Sequence, residues 1–322
     1  MSDNLQKFMF ENAGVRGELV ELPNTWQEIL SNQAYPTAVK TLLGELLAAS
    51  ALLSSNLKFN GTMIMQIHGD GPVKLMVVEC DADLNLRATA KLREGAVIAE
   101  DANLSDLIHA HGQGRFIITL DPNDKMPGQH AYQGIVPLDG ESIAVVIENY
   151  MMRSEQLDTK IWLAADDQVA RGMLLQKLPM TGGYTTENQT EANSVMDAAS
   201  KAEHETEAWN RAIALGGTLK QAELLSTDIE TLMHRLFWEE TIRVFEPQHP
   251  KFLCNCSREK VGNMLKMLGE PEVKTAIAEL GKLDINCDFC GKLYAFDQVD
   301  CAQLFIASTL VDGVDLPSAS KH

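Results

Sequence analysis

Short segments rich in apolar residues follow one another through the first half of the chain, separated by polar residues that favour turns. Strands are predicted at 63–68, 73–78 and 84–90, because Gly, Asp and Pro residues at 69–72 and Asp residues at 81–83 supply the turns between them. The same pattern predicts four later strands, at 114–120, 132–137, 161–165 and 169–178.

Two longer segments, 36–57 and 141–153, instead repeat their apolar residues at the three-to-four-residue spacing of a helix. Their stripes consist of Val39, Leu42, Leu43, Leu46 and Leu47 in the first segment and Ile143, Val146, Ile147 and Tyr150 in the second. Consecutive strands with interspersed helices are typical of α+β proteins. We therefore predict an N-terminal α+β domain at 1–180, built on a largely antiparallel sheet.

The composition changes after residue 183, and we predict a helical linker over 181–244. Residues 185–208 are polar and acidic, and residues 185–250 hold 12 acidic side chains against 5 Lys or Arg, a local excess of −7. A helix is predicted at 219–240, with an apolar stripe of Leu224, Leu225, Ile229, Leu232, Met233, Leu236 and Phe237. Such a stripe needs another surface to cover it.

The last part of the chain, 245–322, is predicted to be a small separate domain. A helix at 258–268 is ended by Gly269, and Pro271 opens another that ends at Gly281. Their expected inner faces are Val261, Met264, Leu265 and Leu268 in the first helix and Val273, Ala276, Ile277 and Leu280 in the second. Two short helices supply little core, so a bound metal is expected to stabilise the domain.

Four cysteines of this domain form one pattern, Cys254-Asn-Cys256 followed further along the chain by Cys287-Asp-Phe-Cys290-Gly291. Residues i and i+2 of an extended segment point to the same side, so the first pair can face one ion. The second pair bends in a tight turn, and Gly291 lets the backbone approach the sulfur closely. Four thiolates in tetrahedral geometry suit zinc best, so the pattern predicts one Zn²⁺ bound by all four cysteines.

Charge and composition limit the other possibilities. The net charge of −18 argues against nucleic acid or an anionic membrane as the main partner, because both need clustered Lys and Arg. The N-terminal residues lack the apolar core of a signal peptide, and no run approaches 18 apolar residues. We therefore expect a cytoplasmic protein whose thiols are kept reduced.

Several interpretations of the cysteines remain open on spacing alone. The simplest is a structural zinc site, such as that of a constitutive zinc-ribbon adaptor. A second is a redox switch, since zinc keeps the sulfurs as thiolates, the form that oxidants attack. A third is a thiol oxidoreductase using Cys287 and Cys290, although a thioredoxin-like C-x-x-C belongs at a helix start in a βαβ unit. No other catalytic constellation stands out in 1–180, so we expect a protein that is not an enzyme.

The remaining candidate groups carry weaker signals. Cys80 closes an apolar strand and is expected to be a buried, inert thiol, and Cys301 is expected to pack as a small hydrophobic residue. His109 and His111 could bind a metal, but two close histidines without a third ligand are usually surface residues of a loop.

Five blocks within 1–180 are distinctive beside the cysteines: 10–20, 57–59, 68–72, 150–156 and 172–176. Together with the segments 254–259 and 287–291, they resemble the redox-regulated heat shock protein 33 family of chaperones. The resemblance extends over essentially the whole chain. At Val261 this chain departs from some members of that family, which carry a further cysteine there.

The resemblance implies a holdase, a chaperone that binds unfolding proteins without ATP and is nearly inactive while reduced and zinc-bound. It implies that oxidants pair Cys254 with Cys256 and Cys287 with Cys290, although four cysteines allow three connectivities. Loss of zinc and unfolding of the 181–244 linker would then expose the client-binding surface. The oxidised form is expected to be a homodimer that passes its clients to ATP-dependent chaperones. A polar, acidic segment with an apolar stripe fits such a metastable linker.

Overall fold

The computed structural model describes residues 2–11, 13–57, 59–125, 130–178 and 198–309. The chain divides into two compact units, Met1–Leu253 and Cys254–His322. The predicted linker helix, 219–240, lies within the first unit. Of the predicted linker, residues 181–197 lie outside the described residues, and they include 185–197 of the polar segment 185–208.

The first unit contains two sheets with 11 strands in the described residues. In chain order these are β1 (Asn4–Phe10), β2 (Val15–Glu21), β3 (Gly61–His68), β4 (Val73–Asp81), β5 (Asn85–Leu92), β6 (Arg115–Pro122), β7 (Tyr132–Val136), β8 (Thr159–Ala165), β9 (Ala170–Lys177), β10 (Ile242–Val244) and β11 (Lys251–Phe252). Sheet A has the order β10-β1-β2-β9-β8, and sheet B has the order β11-β5-β4-β3-β6-β7. All pairs are antiparallel except β11 with β5. The predicted largely antiparallel α+β fold is confirmed, and all seven predicted strands are present.

The helices of the first unit are α1 (Pro23–Asn32), α2 (Thr37–Ser54), α3 (Leu104–Ile108), α4 (Ile143–Tyr150), α5 (Ala198–Gly216), α6 (Gln221–Ser226) and α7 (Ile229–Phe237). A π-helical turn, Met151–Glu155, continues α4. Both helices predicted within 1–180 are therefore confirmed.

Helix α2 is the centre of the main core, where it contacts strands of both sheets. Its Leu43, Leu46 and Leu47 are fully buried. It approaches sheet A closely at Gly44, where an added Cβ would lie 2.4 Å from the Cβ of Ala165. The helix is long and apolar enough to cross a membrane, but most of it is buried in this core. It is the one helix of the described residues with that length and composition.

The opposite face of sheet A is covered by the helices that follow residue 198. Side chains of β1, β2, β8 and β9 and of α5, α6 and α7 form a second core. Its strand members are Phe8, Phe10, Val15, Leu19, Ala164, Met173 and Leu175, and its helical members are Trp209, Ala212, Leu224, Ile229, Leu232, Met233, Leu236 and Phe237. The surface that the predicted stripe requires is therefore this face of sheet A.

The prediction of one helix over 219–240 is wrong, because the segment forms two helices, α6 and α7. The break falls at Thr227 and Asp228, both in extended backbone conformations. The Asp228 side chain accepts a hydrogen bond from the Thr231 amide at 2.9 Å and so caps a new helix. Asp favours such N-caps over helix interiors, and this local preference breaks the longer helix.

The second unit consists of α8 (Arg258–Leu268), α9 (Glu270–Leu280), the hairpin of β12 (Leu283–Asn286) and β13 (Leu293–Phe296), and α10 (Gln298–Thr309). Among the described residues of this unit, seven buried residues form its core: Leu265, Val273, Ile277, Leu283, Tyr294, Phe296 and Cys301. The predicted helix ends at Gly269 and Gly281 are confirmed, each at positive φ.

Three residues expected on the inner faces of these helices are instead exposed. Met264, Leu268 and Leu280 have 39%, 58% and 68% of their surfaces accessible. So few elements cannot enclose the full width of both stripes, and the unit is left with a very small apolar core. This agrees with the expectation that a metal would be needed for stability.

Candidate metal centre

The C-x-C pair lies immediately before α8. Ser257 is the N-cap of that helix, with extended backbone angles, and its side chain accepts a hydrogen bond from the Lys260 amide at 3.2 Å. The cap fixes where the helix begins, so Cys254 and Cys256 precede its first turn. This local geometry positions the first two sulfurs.

The C-x-x-C pair occupies the turn between β12 and β13. The Cys287 amide donates to the Lys292 carbonyl at 2.9 Å, and the Gly291 amide donates to the Cys287 carbonyl at 2.8 Å. Gly291 has a φ of +67°, in the left-handed region that favours glycine. The turn therefore needs this glycine, which the sequence analysis singled out for close backbone approach.

The fold brings all four predicted cysteines together. Their Sγ atoms lie within 4.8 Å of one another, with 3.7 Å between Cys254 and Cys287 and 3.4 Å between Cys256 and Cys290. Zn–S bonds of about 2.3 Å place tetrahedral sulfurs about 3.8 Å apart, so the donor set fits a zinc ion. In the described part of the chain, no other group of three or more His, Cys, Asp or Glu residues could hold a metal.

The electrostatic environments of the sulfurs differ. Burial disfavours the thiolate of Cys256, but hydrogen bonds from the Tyr294 hydroxyl and neighbouring thiols outweigh it and lower its pKa to about 7. Burial raises the pKa of Cys290 to about 12 and also raises that of Cys287. The thiolate form of Cys256 is therefore favoured near neutral pH, whereas the thiol forms of Cys287 and Cys290 are favoured. A divalent cation would favour the thiolate form of all its ligands.

Tyr294 of β13 contacts the cluster through its side-chain hydroxyl. Its hydroxyl donates a hydrogen bond to the Sγ atom of Cys256 at 3.1 Å, and only 6% of the residue is exposed. This hydrogen bond raises the pKa of Tyr294 to about 12. No sequence motif predicted a role for this residue. Its only signal is its place in the strand that follows Cys290.

Arg258 holds the beginning of α8 on the hairpin. Its guanidinium donates to the Ala295 carbonyl at 2.6 Å, pairs with Asp300 at 2.8 Å and lies 4.2 Å from the ring centre of Phe296. Because Arg258 follows Cys256 closely in the chain, these contacts orient the C-x-C pair towards the turn that carries the C-x-x-C pair.

The other predicted groups are not part of this cluster. Cys80 is 1% exposed, and burial raises its pKa to about 12, so the expected burial of this thiol is confirmed and its inertness stays a prediction. Cys301 packs in the small core of the second unit, as expected. His109 and His111 belong to a loop in which Asp70 accepts hydrogen bonds from the amides of His111 and Gln113. All six cysteines lie in the described residues, and no disulfide links them.

Comparison with known proteins gives a consistent result. The sequence model of a family described as Hsp33 protein matches residues 3–297. The 33 kDa chaperonin of Methylobacillus flagellatus is 46% identical over 317 residues, covering 98% of this chain and 99% of that protein. The 33 kDa chaperonin of Chromobacterium violaceum is 46% identical over 303 residues, covering 94% of each chain.

A solved structure supports the fold. The crystal structure of the 33 kDa chaperonin (heat shock protein 33 homolog) of Thermotoga maritima superposes with a TM-score of 0.73 at 21% sequence identity. The match covers 95% of this chain and 99% of that one. With a family match over nearly all of its length and relatives at this level of identity, the chain belongs to the Hsp33 family.

Proposed function

We propose that this protein is a redox-regulated holdase that binds unfolding proteins and prevents their aggregation under oxidative stress. The observation that carries the proposal is the cluster of four sulfurs in a unit whose apolar core has only seven buried residues in the part that the structure describes. A metal site in such a unit controls whether it folds. Membership of a family whose relatives are named chaperonins supplies the activity that this control would regulate.

The reduced form would hold one zinc ion through Cys254, Cys256, Cys287 and Cys290. Bound zinc would keep the four sulfurs as thiolates and contribute on the order of 10–16 kcal/mol of apparent folding free energy. The core of the second unit is too small to replace a contribution of that size. Destroying the ligands would therefore unfold the unit.

Oxidation by hypochlorous acid would be the activating step. Each hypochlorous acid takes two electrons from a pair of thiolates, one disulfide forms, and one chloride and one hydroxide ion are released. Two equivalents thus convert four thiolates into two disulfides. The products no longer provide four thiolate ligands, so the metal is lost with them.

We propose the pairs Cys254–Cys256 and Cys287–Cys290 for the oxidised form. In the cluster, Sγ distances of 3.7 Å and 3.4 Å join members of different pairs, and all four sulfurs lie within 4.8 Å of one another, so proximity does not favour these pairs. Their support is separation along the chain. Once the unit opens, two cysteines of one motif meet at lower entropic cost than cysteines of different motifs, because the loop between them is much shorter. Peptide mapping by mass spectrometry after oxidation tests this pairing.

The linker would respond to the unfolding of the second unit. Helices α5 to α7 cover one face of sheet A through an apolar interface, and α7 is followed by the short strands β10 and β11 and then Cys254. We propose that unfolding of the second unit loosens residues 181–244, so that their stripe and the sheet face beneath become available to clients. The active form would be a cytoplasmic homodimer that passes clients to ATP-dependent chaperones.

The alternative function, a thiol oxidoreductase using Cys287 and Cys290, has less support. A catalytic C-x-x-C needs a cysteine whose thiolate is favoured at neutral pH. Here burial raises the pKa of both cysteines. Steady turnover of a disulfide substrate that is abolished by Cys290→Ser would favour the enzyme.

The decisive experiment adds two equivalents of hypochlorous acid to the reduced, zinc-loaded protein. Zinc release is followed with a chromogenic chelator, and light scattering follows aggregation of a thermally unfolding client. We expect stoichiometric zinc release together with suppressed aggregation, and reversal of both by a thiol reductant in the presence of zinc. Zinc release that leaves aggregation unchanged would refute the holdase proposal, and oxidant-independent binding would favour an adaptor.

A further inference from the structure

We propose that Tyr294 is a positioning residue of the metal centre, which strengthens metal retention and slows oxidation of the cluster through its hydrogen bond to Cys256. The part that concerns oxidation rests on the proposed redox function. The part that concerns metal affinity does not.

The hydroxyl is held in place by regular structure. Tyr294 pairs with Ile285 across the β12–β13 hairpin, and its ring belongs to the core of the second unit. The turn of the same hairpin carries Cys287 and Cys290. The 3.1 Å hydrogen bond from the Tyr294 hydroxyl to Cys256 therefore joins the hairpin half of the site to the C-x-C half.

In this contact the Tyr294 hydroxyl is the donor and the Cys256 sulfur is the acceptor. A phenol O–H donates to a sulfur that carries negative charge, and such charge-assisted hydrogen bonds are among the stronger ones in proteins. The bond stabilises the thiolate and orients it, as outer-shell partners of metal ligands do. It also draws electron density from the sulfur, which makes it a weaker nucleophile towards an oxidant.

The substitution Tyr294→Phe removes this hydrogen bond and keeps the buried ring. Tyr150→Phe is the matched control, since Tyr150 is also 6% exposed and its hydroxyl donates to Glu155 at 3.2 Å, within the first unit. Both variants lose one buried hydroxyl, but only the first changes the surroundings of the cluster.

Three measurements use the full-length reduced protein: zinc affinity by chelator competition, the sulfur-to-metal charge-transfer band of the cobalt(II) form, and the rate of thiol loss with hypochlorous acid. For Tyr294→Phe we expect zinc affinity to fall by about 10- to 100-fold. The charge-transfer band should move to longer wavelength, because a more electron-rich sulfur gives up charge more easily. Thiol loss should become faster, by up to about threefold, because a sulfur that no longer accepts this hydrogen bond keeps more electron density.

A purely structural role would not move the charge-transfer band of the folded variant. The proposal is overturned if Tyr294→Phe matches the unmodified protein in affinity and spectrum, or if Tyr150→Phe shifts them equally. If Tyr294→Phe does not fold, 3-fluorotyrosine at position 294 supplies a stronger donor, and its band must move to shorter wavelength. Altered affinity and spectrum in a protein that never suppresses aggregation would refute the holdase proposal and leave the role of Tyr294 intact.

Discussion

Arg171 of strand β9 forms a buried ion pair with Glu21 of strand β2, with 2.9 Å between Nη2 and Oε2. The same guanidinium donates through Nη1 to the Leu224 carbonyl at 3.2 Å and to the Thr227 carbonyl, both at the end of α6. Arg171 is only 3% exposed. A cation of sheet A thus holds the carbonyl end of a linker helix, within an interface that is otherwise largely apolar.

Replacing Arg171 with Met should loosen the linker without any oxidant. The change leaves Glu21 buried and unpaired and removes the donors to the α6 carbonyls, and breaking a buried pair typically costs about 3–5 kcal/mol. We expect faster amide hydrogen exchange at 221–237 in the reduced, zinc-loaded protein, with partial suppression of client aggregation.

Arg235→Met is the matched control for that experiment. Arg235 pairs with Glu223 at 2.6 Å on the same linker, but it is exposed, and such pairs contribute roughly 0–1 kcal/mol. Unchanged exchange in Arg171→Met, or an equal increase in Arg235→Met, would contradict the role assigned to the buried pair.

Glu45 of α2 should make stability depend on pH. It lines a cavity of about 310 Å³ together with Trp162, Lys220 and Leu224, and burial raises its pKa to about 7. The raised pKa means that the folded state binds the proton more tightly. The free energy of unfolding should therefore fall by up to roughly 3 kcal/mol as the pH rises from about 4.5 to 7. Above pH 7 it should stay level.

The substitution Glu45→Gln should remove this dependence and stabilise the protein at pH 8. Urea unfolding of the reduced protein at pH 5.5 and pH 8 measures this pH dependence. Glu28→Gln is the control, because Glu28 is exposed. Taking the difference between each variant and the unmodified protein cancels the pH dependence of the metal site. A Glu45→Gln protein that loses stability with pH as much as the unmodified protein would show that this carboxyl is not responsible.

Removing zinc from the reduced protein with a strong chelator should unfold the second unit and leave the two sheets of the first unit folded. Among the described residues, the core of the second unit has seven buried members and lacks the apolar area of a stable domain, while the first unit has two larger cores. Amide exchange should accelerate across 258–304 and stay slow in β3, β4 and α2. Retained protection of 258–304 without metal would contradict the view that the metal stabilises this unit.

Thiol labelling should separate the two cysteines outside the cluster. In the chelator-treated protein, iodoacetamide should modify five cysteines, because Cys301 becomes accessible when its unit unfolds. Cys80 is buried in the first unit with a pKa of about 12, and it should react only after denaturation. Cys80→Ala should therefore leave oxidative activation unchanged. Modification of Cys80 in the native fold would show that the first unit opens as well.

The sequence predicted the strands from β3 to β9 well, because short apolar segments and turn residues define each of them locally. It missed β1, β2 and α1. In β2 the charged Glu18 is 1% exposed, so a buried position looks like a surface one. The partners of these strands are also remote, since β2 pairs with β9 and β1 pairs with β10. A local pattern cannot reveal such pairing.

The candidate site, like the fold, could be predicted only in part. The cysteine spacing identified four residues that the fold places together, since each pair lies in a short local structure. Tyr294 was not predictable, because its role depends on which side chain the hairpin brings next to Cys256. The helix break at Asp228 was missed because the apolar stripe continues across it. The predicted boundaries at 180 and 244 stay predictions, although Lys251–Phe252 already pairs with β5.

Sheet A has an apolar core on each face, and its outer cover lies within 185–250, which holds 12 acidic side chains against 5 Lys or Arg. If α5 to α7 leave the sheet, they remain covalently attached to it at the 242–253 end. The net charge of −7 over 185–250 would then lie next to the uncovered surface. Two opened dimers that carry this charge would repel each other over about 8–10 Å at physiological ionic strength. The opened protein could thus accept apolar segments of a client while resisting precipitation with its own copies, and added salt would weaken that protection.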